Sequence, residues 1–267
     1  MSSGHQEFIE LANRKLHYES AGTGAPVIIL EAGAGCPSDT WNPIWPELIK
    51  LTRVVRYDRA GIGKSDPAPQ PRTVADMAAD LDALLQSASI QGPYILVGHS
   101  LGGLLVRYFA HRHPEEVVGM MLIDSSHHDH SLRQLAVLPA ASPDEPEPIA
   151  MQRRMLTDAT TLSREGFNFL QVQQAVSQCS PLGSLPLTVL CQALPDREKV
   201  MATTSPGFPV DLACELHRVN AELQKDLAAL STEGVHHIVE QSGHFIHIDR
   251  PDVVVAAVAS LLNRVRG

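Results

Sequence analysis

A glycine-flanked serine between a buried strand and an amphipathic helix is the feature that most constrains this chain. Residues 94–105 read Tyr-Ile-Leu-Val-Gly-His-Ser-Leu-Gly-Gly-Leu-Leu. The apolar start is typical of a strand covered on both faces, and the residues from Leu101 onward favour a helix. A serine at such a junction needs a sharp, strained turn, on which glycines keep neighbouring side chains from colliding. The pattern predicts that Ser100 is presented as a nucleophile at the carboxyl end of a sheet.

A glycine-rich turn before a helix can instead hold a phosphate. The Walker lysine and the dinucleotide-binding spacing of glycines are both missing around Ser100. The nucleophile interpretation is therefore preferred.

Short apolar, β-branched runs alternate with helical patterns along the chain. The runs are residues 27–30, 54–57, 94–97, 120–123 and 187–190, with a weaker one at 237–239. Residues 8–11 and 15–19 alternate between apolar and polar, which predicts antiparallel strands at a sheet edge. Strands that alternate with helices favour a parallel sheet. We therefore predict an α/β fold with a mostly parallel central sheet of about eight strands and helices on both faces.

The alternation of strands and helices is interrupted between residues 126 and 183. This segment contains a proline-rich stretch at 139–148, continues through helix-prone residues and has no clear strand. We predict that it is a helical lid over one end of the sheet, and that residues 1–125 and 184–267 form the core. Elsewhere, apolar positions after Thr73 step by three and four, which predicts a helix with Thr73 as its N-cap and Asp76 in the capping-box position.

Composition indicates which kinds of partner and site this chain is unsuited to. The chain has 21 basic and 30 acidic side chains, a net charge of −9, which argues against nucleic acid as a partner. Cys36, Cys179, Cys191 and Cys214 are scattered, which is typical of reduced cysteines and not of a disulfide frame or zinc site. No secretory pattern follows Met1, and no run approaches the ~18 apolar residues of a membrane span. We expect a cytoplasmic protein without a membrane span that acts on a small molecule; composition indicates no oligomeric state.

A serine hydroxyl needs a neighbouring base to take its proton. Residues 242–251 supply two histidines, between a predicted strand and the last predicted helix. His244 follows Gly243 within the loop, whereas His247 lies beyond it and is predicted to be packed or capping. We predict that His244 is the general base.

These motifs together resemble the α/β-hydrolase superfamily. Besides the motifs at Ser100 and His244, residues 57–66 read Tyr-Asp-Arg-Ala-Gly-Ile-Gly-Lys-Ser-Asp. That loop is similar to the Asp-x-x-Gly-x-Gly-x-Ser loop of lid-bearing esterases, dehalogenases and epoxide hydrolases. The likeness runs from about residue 27 to the C-terminus, apart from the insertion. Because the dehalogenases and epoxide hydrolases use an aspartate nucleophile, Ser100 favours the serine esterases.

The resemblance implies hydrolysis of a small or medium ester or lactone through an acyl-enzyme. Cleavage of a carbon–carbon or amide bond by the same residues is an alternative. A small-molecule receptor built on the same scaffold is another.

The resemblance also implies an oxyanion hole. One N–H donor is expected from Leu101, after the nucleophile, and the other from the loop that follows the strand at 27–30. Counting back from Trp41 places Gly33 on the family's glycine and Ala34 on the donor, with Ala32 in place of the usual histidine. Only the backbone is required of a donor, so Ala34 and Leu101 are expected to hold the oxyanion.

The acid that orients His244 has three candidates. In most of the superfamily it follows the strand at 187–190 in a Gly-x-x-Asp setting, but here Cys-Gln-Ala-Leu-Pro-Asp follows, and Asp196 comes one position late. Asp196 also stands where an aspartate would cap a helix. Asp124, at the end of the preceding strand, could reach the same histidine nitrogen. We favour Asp124, with Asp196 and then Asp211 as alternatives.

Residues 127–130, His-His-Asp-His, could suggest a metal site. Consecutive histidines point in different directions and no second ligand cluster pairs with them, so we expect a polar entrance to the lid, with neither metal nor cofactor. Tyr57, Asp58, Arg59 and Ser65 are interpreted as structural support for the active-site floor. The candidates for an acyl pocket are Trp41, Met151, Met155, Phe167 and Phe169, although apolar residues at such positions are more often part of the core.

Overall fold

The computed structural model of the protein describes residues 5–11, 13–158 and 160–267 and centres on an eight-stranded sheet. The strands are β1 (His5–Leu11), β2 (Arg14–Ala21), β3 (Val27–Glu31), β4 (Val54–Tyr57), β5 (Tyr94–His99), β6 (Val117–Ile123), β7 (Leu187–Gln192) and β8 (Gly234–Val239). Their order across the sheet is β1-β2-β4-β3-β5-β6-β7-β8. The first four residues of the predicted core, together with Ala12 and Ala159, lie outside the described residues.

The direction of the strands agrees with the prediction. β1 pairs with β2 and β2 with β4 in antiparallel fashion, and the pairs from β4 to β8 are parallel. Successive side chains of a strand point to opposite faces, so Ile28 and Leu30 of β3 enter one hydrophobic cluster and Ile29 enters the other. Helices cover both clusters, and the predicted α/β fold is confirmed.

The helices follow the predicted alternation. They are α1 (Trp45–Leu51), α2 (Val74–Ser87), α3 (Leu101–Arg112), α4 (His130–Val137), α5 (Glu147–Thr157), α6 (Phe169–Ser177), α7 (Arg197–Thr203), α8 (Val210–Ala228), α9 (Ile246–Asp249) and α10 (Pro251–Arg266), and a 3₁₀ helix covers Ser38–Trp41. Thr73 caps α2 in a reciprocal capping box with Asp76, as predicted. Helices α4, α5 and α6 occupy the segment between β6 and β7. Within the described ranges, no helix has the length and apolar character needed to cross a membrane.

The turn after β5 is packed too tightly for side chains larger than hydrogen at its glycines. A Cβ at Gly98 would lie 2.6 Å from the Gly102 carbonyl oxygen, and a Cβ at Gly102 would lie 2.2 Å from the Glu31 carbonyl oxygen. Ser100 between them has φ +52° and ψ −119°, a conformation that side-chain-bearing residues rarely adopt. The first turn of α3 therefore rests directly on the end of β3.

We expect Gly102→Ala to destabilise the protein, because a methyl group there meets backbone that cannot move aside. The loss in the free energy of unfolding should reach at least ~1–3 kcal/mol, the usual cost of overpacking, and urea denaturation would measure it. Gly243→Ala is the matched control, since its Cβ would meet only the Asp249 side chain, at an ordinary contact distance of 3.4 Å. Equal stability of the two variants would contradict the close packing of α3 on β3.

Candidate active site

Ser100 lies at the carboxyl edge of the sheet, between β5 and α3. Its backbone N–H donates to the Ile123 carbonyl (3.2 Å), and its own carbonyl accepts from the N–H groups of Gly103 (3.1 Å) and Ser126 (3.0 Å). Backbone hydrogen bonds thus join this turn to the loop that follows β6. The side chain is left partly exposed at the edge where the parallel strands end.

The imidazole of His244 is bound to the carboxylate of Asp124. His244 Nδ1 lies 2.6 Å from Asp124 Oδ2, and the Asp124 side chain is largely buried. A carboxylate at Nδ1 favours the tautomer that carries its proton there, which leaves Nε2 as the base. The structure therefore pairs the predicted base with the predicted acid.

Asp124 follows β6, but residues of the neighbouring strand β7 hold it in place. The Asp124 N–H donates to the Leu190 carbonyl at 2.7 Å, and Asp124 has φ +41°. Its Oδ1 accepts from the backbone N–H of Gln192 and its Oδ2 from the side-chain amide of Gln192, each at 3.2 Å. Gln192 thus binds both carboxylate oxygens of Asp124, and His244 binds one of them.

The other two candidate acids are engaged elsewhere. Asp196 accepts the N–H of Lys199 at 2.8 Å and caps α7. Asp211 forms an exposed ion pair with Arg197. Of the three carboxylates, only Asp124 contacts His244.

His244 stands beside the Ser100 turn, and within the described part of the chain no hydrogen bond joins its ring to Ser100 Oγ. The residue before the serine makes the contact instead: His99 Nε2 lies 2.9 Å from the His244 carbonyl, and the two ring centroids are 4.6 Å apart. Hydrogen bonds between nucleophile and base are often long without substrate and shorten when it binds.

The loop after β3 packs against the serine turn. A Cβ at Gly33 would lie 2.9 Å from His99 Nδ1 and 3.3 Å from Ser100 Cβ, so the loop backbone reaches the turn directly. The Cys36 N–H donates to the Gly33 carbonyl at 3.2 Å and closes a tight turn through Ala34. Across the described ranges, the N–H groups of Ala34 and Leu101 donate to no protein acceptor. Both are available to a developing negative charge.

A buried charge network supports this loop from beneath. Arg59 donates to Glu31 Oε1 (2.7 Å) and to both carboxylate oxygens of Glu165 (2.6 and 2.9 Å). The Tyr57 hydroxyl donates to the other oxygen of Glu31. Burial raises the pKa of Glu31 and, with the neighbouring Glu31, that of Tyr57. Sequence reasoning assigned support to Tyr57 and Arg59 but missed Glu165, which lies 106 residues from Arg59 in the chain.

The rest of the predicted floor is held by Asp58. Its carboxylate accepts the N–H groups of Ser38 (2.6 Å) and Lys64 (2.9 Å), and Ser65 Oγ donates to its carbonyl (2.6 Å). Burial works against the charge, but these hydrogen bonds and His17 bring the pKa of Asp58 below its ordinary value.

His247 is packed in the core, as predicted. It is fully buried, with its ring centroid 4.4 Å from that of Trp41 and 4.7 Å from that of His99. Its Nε2 lies 3.2 Å from Thr40 Oγ1. Burial lowers the pKa of His247 to about 4 and that of His99 to about 3, so both rings are neutral at physiological pH.

The histidine cluster after β6 does not fit a cation. Ligand atoms of His127, His128 and Asp129 all lie within 4.8 Å of one another. However, Arg107 Nη1 lies 3.2 Å from His128 Nδ1, and His127 Nδ1 already accepts the N–H of Asp129 at 2.9 Å. A guanidinium at that distance repels a metal ion, so this donor set is a poor one for metal.

A cavity of about 120 Å³ adjoins the His244–Asp124 pair. Its lining mixes polar side chains, among them Gln192, His217 and Gln224, with apolar ones such as Leu194 and Leu223. The residues predicted for an acyl pocket lie elsewhere. Trp41 and Phe167 are fully buried core residues, whereas Met151 and Met155 of α5 are 55% and 67% exposed and Phe169 is 38% exposed.

The chain is similar to known proteins in both sequence and fold. Residues 27–257 match the model of a family described as the alpha/beta hydrolase family. The uncharacterized protein YqjL of Bacillus subtilis (strain 168) is 27% identical over 237 residues, which span 89% of this chain and 83% of that relative. A thermophilic esterase from Thermogutta terrifontis superposes with a TM-score of 0.64 at 20% identity over 100% of both chains. The enol-lactonase from Burkholderia xenovorans LB400 gives 0.63 at 21% identity, over 96% of this chain and 100% of that chain. At these identities the two structures show a shared fold.

We expect the buried imidazoles of His99 and His247 to make the fold sensitive to acid. An unfolded histidine has a pKa of ~6.5, and the folded values are about 3 and about 4. Between those limits the unfolded chain binds more protons, so the free energy of unfolding falls as the pH is lowered, by ~1.4 kcal/mol per pH unit for each histidine.

Urea denaturation at several pH values between about 7 and 5 would test this sensitivity. His247→Gln should remove about one proton from the slope of stability against pH. The exposed His237→Gln is the matched control and should keep the slope. An unchanged slope in His247→Gln would show that this ring is not held neutral.

Proposed function

Because the chain belongs to the alpha/beta hydrolase family, we propose that it is a serine hydrolase that cleaves a small or medium carboxylic ester or lactone. The observation that carries the proposal is the 2.6 Å contact between His244 Nδ1 and Asp124, beside the strained turn that presents Ser100. An acid at Nδ1 leaves the opposite ring nitrogen able to act as the base for the Ser100 hydroxyl on the neighbouring turn.

In the acylation step, Ser100 Oγ attacks the substrate carbonyl carbon while His244 Nε2 accepts the hydroxyl proton. Asp124 stabilises the imidazolium that forms. The negative charge on the carbonyl oxygen is received by the N–H groups of Ala34 and Leu101. The carbon–oxygen bond of the ester then breaks, and the leaving alkoxide takes the proton from His244.

In the deacylation step, water attacks the acyl-enzyme while His244 Nε2 accepts a water proton. The tetrahedral intermediate collapses, the acid product leaves, and the proton returns to Ser100 Oγ. The acid and base therefore finish the cycle in their starting states.

We further propose that residues 126–183 form a lid over the core made of residues 1–125 and 184–267. Helices α4, α5 and α6 and the exposed methionines of α5 support this proposal. The cavity at His244 and Asp124 is small and lined by both polar and apolar side chains, which favours a compact substrate portion. The esterase and the enol-lactonase with this fold make esters and lactones the substrates to test first.

We expect Ser100→Ala to abolish covalent labelling by a fluorophosphonate probe and to lower kcat for a short-chain ester by at least ~10³-fold, because the nucleophile is removed. Labelling would be read by intact-protein mass spectrometry. Ser126→Ala, a serine on the neighbouring loop, is the matched control and should still be labelled. Labelling that persists in Ser100→Ala would contradict the assignment of the nucleophile.

The acid is tested by Asp124→Asn beside Asp196→Asn. We expect the first to lower kcat by ~10³–10⁴-fold, since an amide no longer fixes the tautomer or stabilises the imidazolium. The second should keep near-normal kcat, because asparagine caps a helix about as well as aspartate. Steady-state kinetics on the same ester decide between them, and the reverse ranking would assign the acid to Asp196. Tight ligand binding with no turnover across a panel of esters would favour a receptor over an enzyme.

A further inference from the structure

We propose that Glu165 is a positioning residue of the oxyanion hole, contributed by the segment between β6 and β7. This inference rests on the proposed function and deepens it. It assigns to a residue far from the catalytic motifs the task of fixing the loop that presents Ala34.

The carboxylate of Glu165 binds the oxyanion loop and Arg59 at the same time. Glu165 Oε1 accepts the Gly35 N–H at 2.7 Å and Arg59 Nη2 at 2.9 Å, and Oε2 accepts Arg59 Nε at 2.6 Å. Both side chains are buried, at 1% and 3% exposure. Such short, charge-assisted bonds away from water hold geometry firmly.

Arg59 binds the other side of the same loop. Its Nη1 donates to the Ala32 carbonyl and its Nη2 to the Gly33 carbonyl, both at 2.6 Å. With the bonds to Glu31 and Glu165, the five N–H donors of a guanidinium are all used. The guanidinium therefore has one orientation that satisfies every donor, and Glu165 supplies two of the five partners.

Because a peptide bond is planar, these contacts also orient the Ala34 N–H. The Gly33 carbonyl and the Ala34 N–H belong to one planar peptide unit, which is trans. Because Arg59 holds the carbonyl oxygen, the Ala34 N–H must point to the opposite side. The next peptide unit is held through the Gly35 N–H by Glu165. The direction of the Ala34 N–H is thus set by the contact of Arg59 with its own peptide unit and by the contact of Glu165 with the next one.

Glu165 is itself anchored to the core. The residues after it are fixed by a hydrogen bond from the Arg72 N–H to the Gly166 carbonyl at 2.7 Å. Phe167 is fully buried in a cluster with Leu101 and Leu104 of α3. Burial opposes the negative charge of Glu165, but Arg59 and the hydrogen bonds bring the pKa of Glu165 below its ordinary value, so it is charged at neutral pH.

The kinetic test compares the wild type with Glu165→Asp, Glu165→Gln and Glu147→Ala. Glu165→Asp keeps the charge but draws the carboxylate back by one methylene, so it cannot bind Gly35 and Arg59 together. We expect it to lower kcat for a short-chain ester by ~10–10³-fold with KM nearly unchanged, the effect of weakening one oxyanion donor. Glu165→Gln keeps the reach but places an NH2 donor against an N–H donor of Arg59, so it should also lower kcat. Glu147→Ala removes an exposed ion pair of the same segment and should match the wild type.

Two further readouts separate positioning from a general loss of structure. Binding of a trifluoromethyl ketone, which forms an oxyanion on the serine, should weaken in Glu165→Asp by the same factor as kcat. Amide hydrogen exchange of the peptide spanning residues 31–36 should accelerate in that variant, while exchange of the β5 and β6 amides stays unchanged. A Glu165→Asp variant with wild-type kcat, inhibitor affinity and loop exchange would overturn the inference.

The outcomes that reject the hydrolase function differ from those that reject the role of Glu165. A wild type that cleaves no ester and takes up no fluorophosphonate, combined with faster loop exchange in Glu165→Asp, would reject the hydrolase and leave the positioning of the loop supported. An active wild type with unchanged loop exchange in Glu165→Asp would keep the hydrolase and reject the role of Glu165.

Discussion

Direct contact between the backbone of α3 and the end of β3 is the constraint on which the rest of the site depends. It excludes a Cβ at Gly98 and Gly102 and places Ser100 at φ +52°. The same contact brings the loop after β3 against the serine turn, where a Cβ at Gly33 would lie 3.3 Å from Ser100 Cβ. Ser100 and the loop that carries Ala34 are therefore neighbours because two strands and one helix pack closely, and strain at the turn accompanies that packing.

The acid illustrates how a parallel sheet can supply one function from either of two strands. β6 and β7 are adjacent and end at the same edge, so a carboxylate after either one can reach the same histidine nitrogen. Here Asp124 follows β6, and Gln192 at the end of β7 donates two hydrogen bonds to it. The strand on which the family resemblance places the acid thus holds the proposed acid, Asp124, in place without providing it.

Local patterns predicted the strands, the serine turn, the capping box at Thr73 and the late loop with His244, because each depends on residues close in sequence. β5 runs two residues beyond its apolar run, since Gly98 and His99 still pair with β6 although neither favours a strand by itself. The preference for Asp124 could be argued but not decided, since it depends on which strand ends lie side by side. Glu165 could not be found, because a buried carboxylate paired with an arginine 106 residues away leaves no periodic signal.

The most direct measurement of the central claim is a crystal structure of the protein after reaction with a fluorophosphonate. We predict a covalent bond from phosphorus to Ser100 Oγ, with the phosphoryl oxygen about 2.7–3.1 Å from the backbone nitrogens of Ala34 and Leu101. His244 should remain bound to Asp124 and turn its Nε2 toward the bound serine oxygen. An adduct on another residue, or a phosphoryl oxygen that faces away from both backbone N–H groups, would contradict the assignment of this edge of the sheet as the active site.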